Sequence, residues 1–216
     1  MNINPNHKLE EYILEHTEPE DEILSHLNRE THLKMLHPRM LSGHLQGKFL
    51  EMISRMVQPL NILEIGTFTG YSAICMARGL KQGGTLDTIE INDELKQFAI
   101  DQFEKAGLNE KINLHIGNAL EIISHLDKNY DLVFIDGDKK EYIQYYNLLF
   151  PLVNVGGYII ADNVLWSGKV IDPMEKNDAD TIGIMQFNDL VHNDNRVMNV
   201  LLPLRDGLMI SMKKED

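Results

Sequence analysis

Residues 61–72 read NILEIGTFTGYS, and this stretch decides the fold. Its first part, Asn61 to Ile65, contains three aliphatic residues in five, which is typical of a short buried strand. Gly66 and Gly70 then mark a tight turn, and Tyr71 begins a segment with the apolar spacing of a helix. A strand that turns through glycine into a helix is the opening unit of a parallel α/β sheet.

This strand-and-helix unit repeats along the chain. Apolar runs predict strands at 61–65, 85–90, 112–116, 131–135 and 158–161, and helical spacing predicts helices at 71–80, 93–106, 119–126 and 141–150. Parallel neighbours need crossover connections, so the alternation predicts an α/β fold with a doubly wound, mostly parallel sheet.

The two ends of the chain depart from the repeat. Residues 1–60 have helical spacing throughout, and a helix at 179–191 precedes two apolar runs at 197–202 and 208–212. These runs predict an antiparallel hairpin that completes a seven-stranded sheet. We therefore predict one domain over residues 1–216, with a helical cap over 1–60 and a Rossmann-like core over 61–216.

Composition excludes several classes of function. Lys and Arg number 20 against 33 Asp and Glu, a net charge of −13, which repels phosphate backbones and anionic lipid. We expect neither a nucleic-acid partner nor a membrane partner. Cys75 is the single cysteine, so an internal disulfide and a thiolate zinc site are excluded. The N-terminal residues do not resemble a secretion signal, and we expect a cytoplasmic protein.

The turn after the first strand predicts a nucleoside ligand. In doubly wound sheets, ligands bind beyond the carboxyl ends of the strands. There the sequence reads ExGxxxG from Glu64 to Gly70, and Phe68 stands where the dinucleotide motif GxGxxG has its second glycine. Glu90 ends the second strand, where a carboxylate can accept hydrogen bonds from both ribose hydroxyls. The pattern favours an adenosine without phosphates, and a turn whose glycines serve packing alone is the alternative.

Oxygen donors follow two further strands. Asp136 lies directly after the strand at 131–135, and Asp162 and Asn163 follow the strand at 158–161. Such strands are usual neighbours, about 4.8 Å apart, so we expect the three side chains to reach one ion. Two carboxylates and an amide favour Mg²⁺, then Mn²⁺ or Ca²⁺. Ordinary turn residues at strand ends are the alternative interpretation.

Four segments together resemble a known family: LEIGTFTGYS at 63–72, TIEIN at 88–92, FIDGDKKEY at 134–142 and GGYIIADNVLWSG at 156–168. With them the chain resembles the cation-dependent O-methyltransferases that use S-adenosylmethionine, of the caffeoyl-CoA and catechol O-methyltransferase type. The resemblance extends from about Met40 to the end of the chain, while the first forty residues match only loosely. It implies a class I methyltransferase fold and a homodimer.

The resemblance also implies site residues. Glu64 and Gly66 would line the methionine end of the cofactor, Ser72 would bind its carboxylate, Glu90 its ribose and the Ala119 backbone its adenine. Further cofactor positions are Met40, Ser42, Thr67, Ile91 and Asp136. The implied metal ligands are Asp136, Asp162 and Asn163.

The expected reaction is methyl transfer to one hydroxyl of an aromatic diol, with Lys139 and Asp136 as catalytic residues. A phenol has a pKa of about 10, and a divalent ion bound to both oxygens of a vicinal diol lowers that pKa. Lys139 then either takes the proton or stabilises the phenolate by its charge. Trp166 either covers the aromatic acceptor or packs within its loop.

Two other functions fit the same residues in part. One is an NAD-dependent oxidoreductase, against which Phe68 argues, and the other is a protein that binds S-adenosylmethionine without catalysis. For the acceptor, the sequence leaves a simple catechol and a coenzyme A thioester open.

Overall fold

A computed structural model gives the fold of residues 5–173 and 177–216. The strands are β1 Asn61–Ile65, β2 Thr85–Glu90, β3 Ile112–Ile116, β4 Tyr130–Ile135, β5 Val153–Asp162, β6 Val197–Leu202 and β7 Leu208–Lys213. The α-helices are α1 Pro5–Glu15, α2 Glu22–Lys34, α3 Gly43–Val57, α4 Tyr71–Ala77, α5 Lys96–Lys105, α6 Ala119–Ile123, α7 Tyr142–Leu149 and α8 Ala179–Asn193.

The strands form one sheet in the order β3-β2-β1-β4-β5-β7-β6. The first five pair in parallel, and β7 is antiparallel to both β5 and β6. The predicted fold, a doubly wound and mostly parallel seven-stranded sheet with a closing hairpin, is confirmed. The order reverses between β1 and β4, which is where such sheets bind their ligands.

Helices cover both faces of this sheet because its central strands are apolar on both sides. Along β4, Leu132 and Phe134 pack under α2, α3, α4 and α5, whereas Val133 and Ile135 pack under α6, α7 and α8. Residues of one strand alternate between faces, so a run of apolar residues fills two cores at once. Each fully buried Leu, Ile or Phe side chain stabilises the fold by about 2 kcal/mol.

The strand register brings four strand ends to one edge of the sheet. Ile65 pairs with Ile89 on one side and with Ile135 on the other, and Ile135 pairs in turn with Ala161. The residues that follow these positions therefore leave the sheet side by side. This alignment creates a single ligand-binding edge.

Several predicted boundaries were wrong, because packing or pairing with another segment of the chain decided them. The strand predicted at 158–161 begins at Val153, because Gly156, with φ of 84°, allows a shift of register within β5 rather than ending the strand. The helix predicted at 71–80 ends at Ala77. At Gly79 a side chain would lie 2.3 Å from Ser54 Oγ, so the chain after α4 runs directly against α3.

The helices that precede β1 differ in how they pack. Asp21 caps the start of α2, and its side chain accepts hydrogen bonds from the N–H groups of Ile23 and Leu24 at 3.0 Å. α3 packs closely on α4, where Gly47 leaves room for the Tyr71 ring.

The division into a cap over 1–60 and a core over 61–216 stays a prediction. Across the described ranges, no helix is long and apolar enough to cross a bilayer.

Candidate functional site

A cavity of about 890 Å³ opens at the edge where the strand ends meet. With one exception, the residues predicted for the site line it. They are Met40, Ser42, Gly66, Thr67, Ser72, Glu90, Ile91, Ala119, Asp136, Lys139, Asp162, Asn163 and Trp166. The structure thus places residues from six separate segments of the chain around one space.

Gly66 lines the cavity directly after β1. Its N–H donates to the carbonyl of Ile89 at 2.9 Å, and the Asp136 N–H donates to the carbonyl of Ile65 at 2.8 Å. A side chain on Gly66 would lie 2.2 Å from the Asp136 carbonyl oxygen, and the φ of Gly66 is 97°. Only glycine fits here, because both the backbone conformation and the contact exclude a Cβ.

Glu90 is held with its carboxylate at the cavity. Its Oε2 accepts a hydrogen bond from the Phe68 N–H at 2.7 Å and its Oε1 accepts one from the Asn92 N–H at 2.9 Å. Phe68 has a φ of 49°, the left-handed conformation that directs its N–H to this carboxylate. A carboxylate has about four acceptor positions, so two remain for the hydroxyls of a ligand.

Glu64 is the predicted residue that does not line the cavity. Its side chain is 0% exposed and lies on the sheet face below the Gly66 turn. The Thr88 hydroxyl donates to Glu64 Oε2 at 2.5 Å, while Oε1 has no hydrogen-bond partner within the described part of the chain. Burial raises the pKa of Glu64 to about 8, although the Ser72 and Thr88 hydroxyls partly oppose this. Its assignment to the cofactor stays a prediction.

At the other end of the cavity, Asp136 and Asp162 lie on adjacent strand ends. Lys139 Nζ donates to Asp136 Oδ1 at 2.7 Å and to the Tyr142 hydroxyl at 2.8 Å. The Tyr142 hydroxyl in turn donates to the Asp162 carbonyl at 3.0 Å. Burial, together with the nearby negative charge of Asp136, raises the pKa of Asp162 to about 6.

Lys139 is a cation in this arrangement. Burial lowers its pKa, but the interactions with Tyr142 and Asp136 outweigh burial and hold the pKa of Lys139 above its ordinary value. Sequence analysis left two roles open, and proton acceptance needs a lowered pKa. The observed pairing favours stabilisation of a negative charge.

The donor chemistry of this end fits a hard cation. Asp136, Asp162 and Asn163 bring two carboxylates and one amide to the same cavity, and Asn163 has a φ of 59°. Within residues 5–173 and 177–216, His, Cys, Asp and Glu side chains form no cluster of three or more that could hold a metal. The predicted set depends on an amide as its third ligand, which suits Mg²⁺ better than a softer metal.

A sequence model of the O-methyltransferase family matches residues 14–214. The chain belongs to this family. The match covers the cavity and all of its strand ends, and it confirms the prediction that the protein is an O-methyltransferase.

Individual relatives support the same membership. A probable caffeoyl-CoA O-methyltransferase 2 of Dictyostelium discoideum is 31% identical over 218 residues, which cover 99% of this chain and 94% of the relative. The caffeoyl-CoA O-methyltransferase 2 of Eucalyptus globulus is 35% identical, over 76% of this chain and 71% of its own. The crystal structure of the O-methyltransferase TomG from Streptomyces achromogenes, involved in tomaymycin synthesis and in complex with SAM, has a TM-score of 0.89 at 30% identity and covers 96% of each chain.

Some cavity residues of this O-methyltransferase carried no signal in the sequence. Arg205 comes from the turn between β6 and β7, and Asp180 comes from the first turn of α8. Asp180 reaches the cavity because α8 packs against the backbone near Lys139, where a side chain on Gly183 would lie 2.6 Å from the Lys139 carbonyl oxygen. Trp166 lines the cavity from a loop that the same β6–β7 turn supports, since the Leu165 N–H donates to the Asp206 carbonyl at 2.9 Å.

Glu64 gives the O-methyltransferase a specific dependence of stability on pH. The folded protein keeps a proton on Glu64 that the unfolded chain releases between about pH 4.5 and 8, so the free energy of unfolding falls as pH rises through this window. We expect Glu64→Gln to remove this contribution, which is at most about 1.4 kcal/mol per pH unit. Urea unfolding of both proteins from pH 5 to pH 8 measures it, and parallel curves would contradict the assignment.

Proposed function

We propose that this O-methyltransferase transfers the methyl group of S-adenosylmethionine to one hydroxyl of a catechol-like small molecule. A divalent cation would be bound between oxygen ligands of the protein and the hydroxyl groups of the acceptor. The observation that carries the proposal is the cavity itself. It joins the hydrogen-bonded Glu90 carboxylate at one end to Asp136, Asp162 and Lys139 at the other.

The nucleoside end supports S-adenosylmethionine over NAD. Glu90 has acceptor positions left for a ribose, and the turn at Gly66 lacks the second glycine that a pyrophosphate needs. Glu64 Oε1 is buried and unpaired among the described residues, but Glu64 does not line the cavity, so its place at the methionine end of the cofactor stays a prediction. The SAM bound to TomG, a structure with the same fold, supports the same cofactor.

Asp136, Asp162 and Asn163 would hold the cation, Mg²⁺ first and Mn²⁺ or Ca²⁺ as alternatives. When bound, such an ion lowers the pKa of a hydroxyl that it contacts and fixes its orientation. Each carboxylate oxygen has two lone pairs, so the hydrogen bonds of Asp136 and Asp162 leave acceptor positions free.

The residues of the chain have three tasks in this reaction. A sulfonium methyl is already activated, so the protein must place the attacking oxygen behind the methyl carbon. Lys139 offers a positive charge beside the acceptor, held in place by Asp136 and Tyr142, and this charge stabilises a phenolate. Trp166 lines the acceptor end, where its ring covers an aromatic substrate and excludes water.

The charge of the cavity favours a simple diol over a coenzyme A thioester. Among the described lining residues, six are carboxylates and three are Lys or Arg. Lys139 is paired with Asp136, and Arg205 Nη1 donates to the Leu41 carbonyl at 3.1 Å, so two of these three cations have partners within the chain. The mainly negative charge of the cavity would repel the phosphates of a thioester, whereas it would not repel a neutral diol and would attract a cationic one. The curated relatives are named for caffeoyl-CoA, a coenzyme A thioester, so the choice of a simple diol rests on the charge of the cavity alone.

The helix α1 supports the predicted homodimer. From Lys8 to Glu15 every side chain is exposed, including Leu9, Tyr12 and Ile13 on one face. A helix of 11 residues is marginal in water without packing. A second copy of the chain would cover these apolar residues.

Methyl transfer is the first test. We expect the purified protein to label a catechol from radioactive S-adenosylmethionine, to lose this activity in EDTA and to regain it with Mg²⁺. We expect Asp162→Ala to reduce the rate by on the order of 100-fold while binding of S-adenosylhomocysteine persists. The exposed Asp189→Ala, outside the cavity, is the matched control.

Other outcomes of this assay separate the competing functions. Methyl transfer at an unchanged rate in EDTA would contradict the proposed dependence on a divalent cation. Cofactor binding without transfer to any diol would support a binding protein, and tight binding of NADH in place of S-adenosylhomocysteine would support an oxidoreductase.

Acceptor charge is the second test. We expect a catechol with a protonated aminoethyl group to have a kcat/KM at least about 10-fold above that of caffeoyl-CoA at low salt, because every 1.4 kcal/mol of unfavourable charge interaction is tenfold. The difference should narrow at high salt and in Asp180→Asn, since both reduce the negative potential of the cavity. A higher kcat/KM for the thioester would overturn this choice of acceptor.

The mass in solution is the third test. We expect light scattering to give twice the chain mass of 24.8 kDa for the wild type. The double variant with Leu9→Glu and Ile13→Glu should give the mass of one chain. A wild-type protein of 24.8 kDa would contradict the homodimer.

A further inference from the structure

Gln46 contacts the Asp162 carboxylate from outside the cavity. It lies on α3, its side chain is 0% exposed, and it is 116 residues away from Asp162 in the sequence. Its Nε2 donates to Asp162 Oδ2 at 2.7 Å. The other oxygen, Oδ1, accepts a hydrogen bond from the Asn163 N–H at 2.6 Å. Both oxygens of the carboxylate are thus held by neutral donors.

Arg205 holds Gln46 in turn. Arg205 Nη1 lies 3.5 Å from Gln46 Oε1 and donates to the Leu41 carbonyl at 3.1 Å. The amide oxygen of Gln46 faces a cation, so its nitrogen must face Asp162. The orientation of the amide is therefore set by charge.

We propose that Gln46 is a positioning residue that holds the Asp162 carboxylate in the orientation required to bind a divalent cation, with Arg205 as its anchor. This inference rests on the proposed function, in which Asp162 is a ligand of that cation. Gln46 itself contacts neither cofactor nor acceptor, and it acts only through Asp162.

The neutrality of Gln46 is what suits it to this task. Lys139 already neutralises one negative charge at Asp136, as the 2.7 Å contact shows. A second cation at Asp162 would leave the carboxylate pair with no net charge to attract a metal ion. An amide orients Asp162 and leaves its charge intact, which is how hydrogen bonds outside the ligand set commonly tune metal affinity.

A purely structural role is the competing explanation, since a buried amide needs hydrogen bonds wherever it lies. Gln102 provides the comparison. It is buried on α5, its Nε2 donates to Glu30 Oε2 at 3.0 Å, and it does not line the cavity. Its loss should affect stability alone, whereas the loss of Gln46 should also affect cation affinity.

The experiment is a titration of the full-length protein with Mn²⁺, followed by electron paramagnetic resonance of the free ion. We expect Gln46→Met, similar in size but without a donor, to weaken Mn²⁺ binding by about 10- to 100-fold. Affinity for S-adenosylhomocysteine without metal should change less than about 2-fold, and Gln102→Met should bind Mn²⁺ as the wild type does. In the methylation assay, Gln46→Met should need more Mg²⁺ for half-maximal rate and recover kcat at saturating Mg²⁺.

Each outcome decides between the possibilities. Equal Mn²⁺ affinity of folded Gln46→Met and wild type overturns the positioning role and leaves the proposed function standing. A wild type that binds no Mn²⁺, and whose methyl transfer is insensitive to EDTA, overturns both. If Gln46→Met does not fold, Gln46→Asn provides the same test, because its amide is one methylene too short to reach Asp162.

Discussion

The contact between the Gly66 backbone and the Asp136 carbonyl is the constraint on which the rest of the site depends. The two strand ends touch so closely that a side chain on Gly66 would lie 2.2 Å from that oxygen. Because β1 lies between β2 and β4, this contact joins the turn proposed to bind a nucleoside to the strand end that carries Asp136. The proposed sites for a methyl donor and for its acceptor are therefore adjacent, and no domain movement is needed to bring them together.

Around this contact the protein separates two kinds of buried carboxylate. Glu64 lies below the cavity floor, where burial raises its pKa to about 8, and Asp162 lies at the cavity edge, where burial and Asp136 raise its pKa to about 6. Asp136 instead has the Lys139 ammonium at 2.7 Å. The carboxylates that face the acceptor end are thus oriented by one cation and by neutral donors, which leaves net negative charge at the position proposed for the divalent ion.

The sequence could predict most of the fold because local patterns define it. The bounds of β1, β2, β3 and β6 match the predicted runs. Errors arose where a distant segment intervened. The helix after the glycine turn stops early because Gly79 packs against Ser54, and β5 continues through Gly156, which looks like a turn in sequence. Neither contact has a local signature.

For the site, the sequence by itself determined the residues at the strand ends. Glycine turns and acidic residues that follow strands can be predicted to lie together, because the carboxyl ends of parallel strands meet at one edge of the sheet. Only the tertiary structure decided which side chains orient them. Tyr142, Arg205 and Gln46 come from helices and from a hairpin turn, and Gln46 meets Asp162 across 116 residues of sequence. Such contacts depend on how helices pack on the sheet, and a linear pattern carries no information about that packing because it depends on the shapes of both partners.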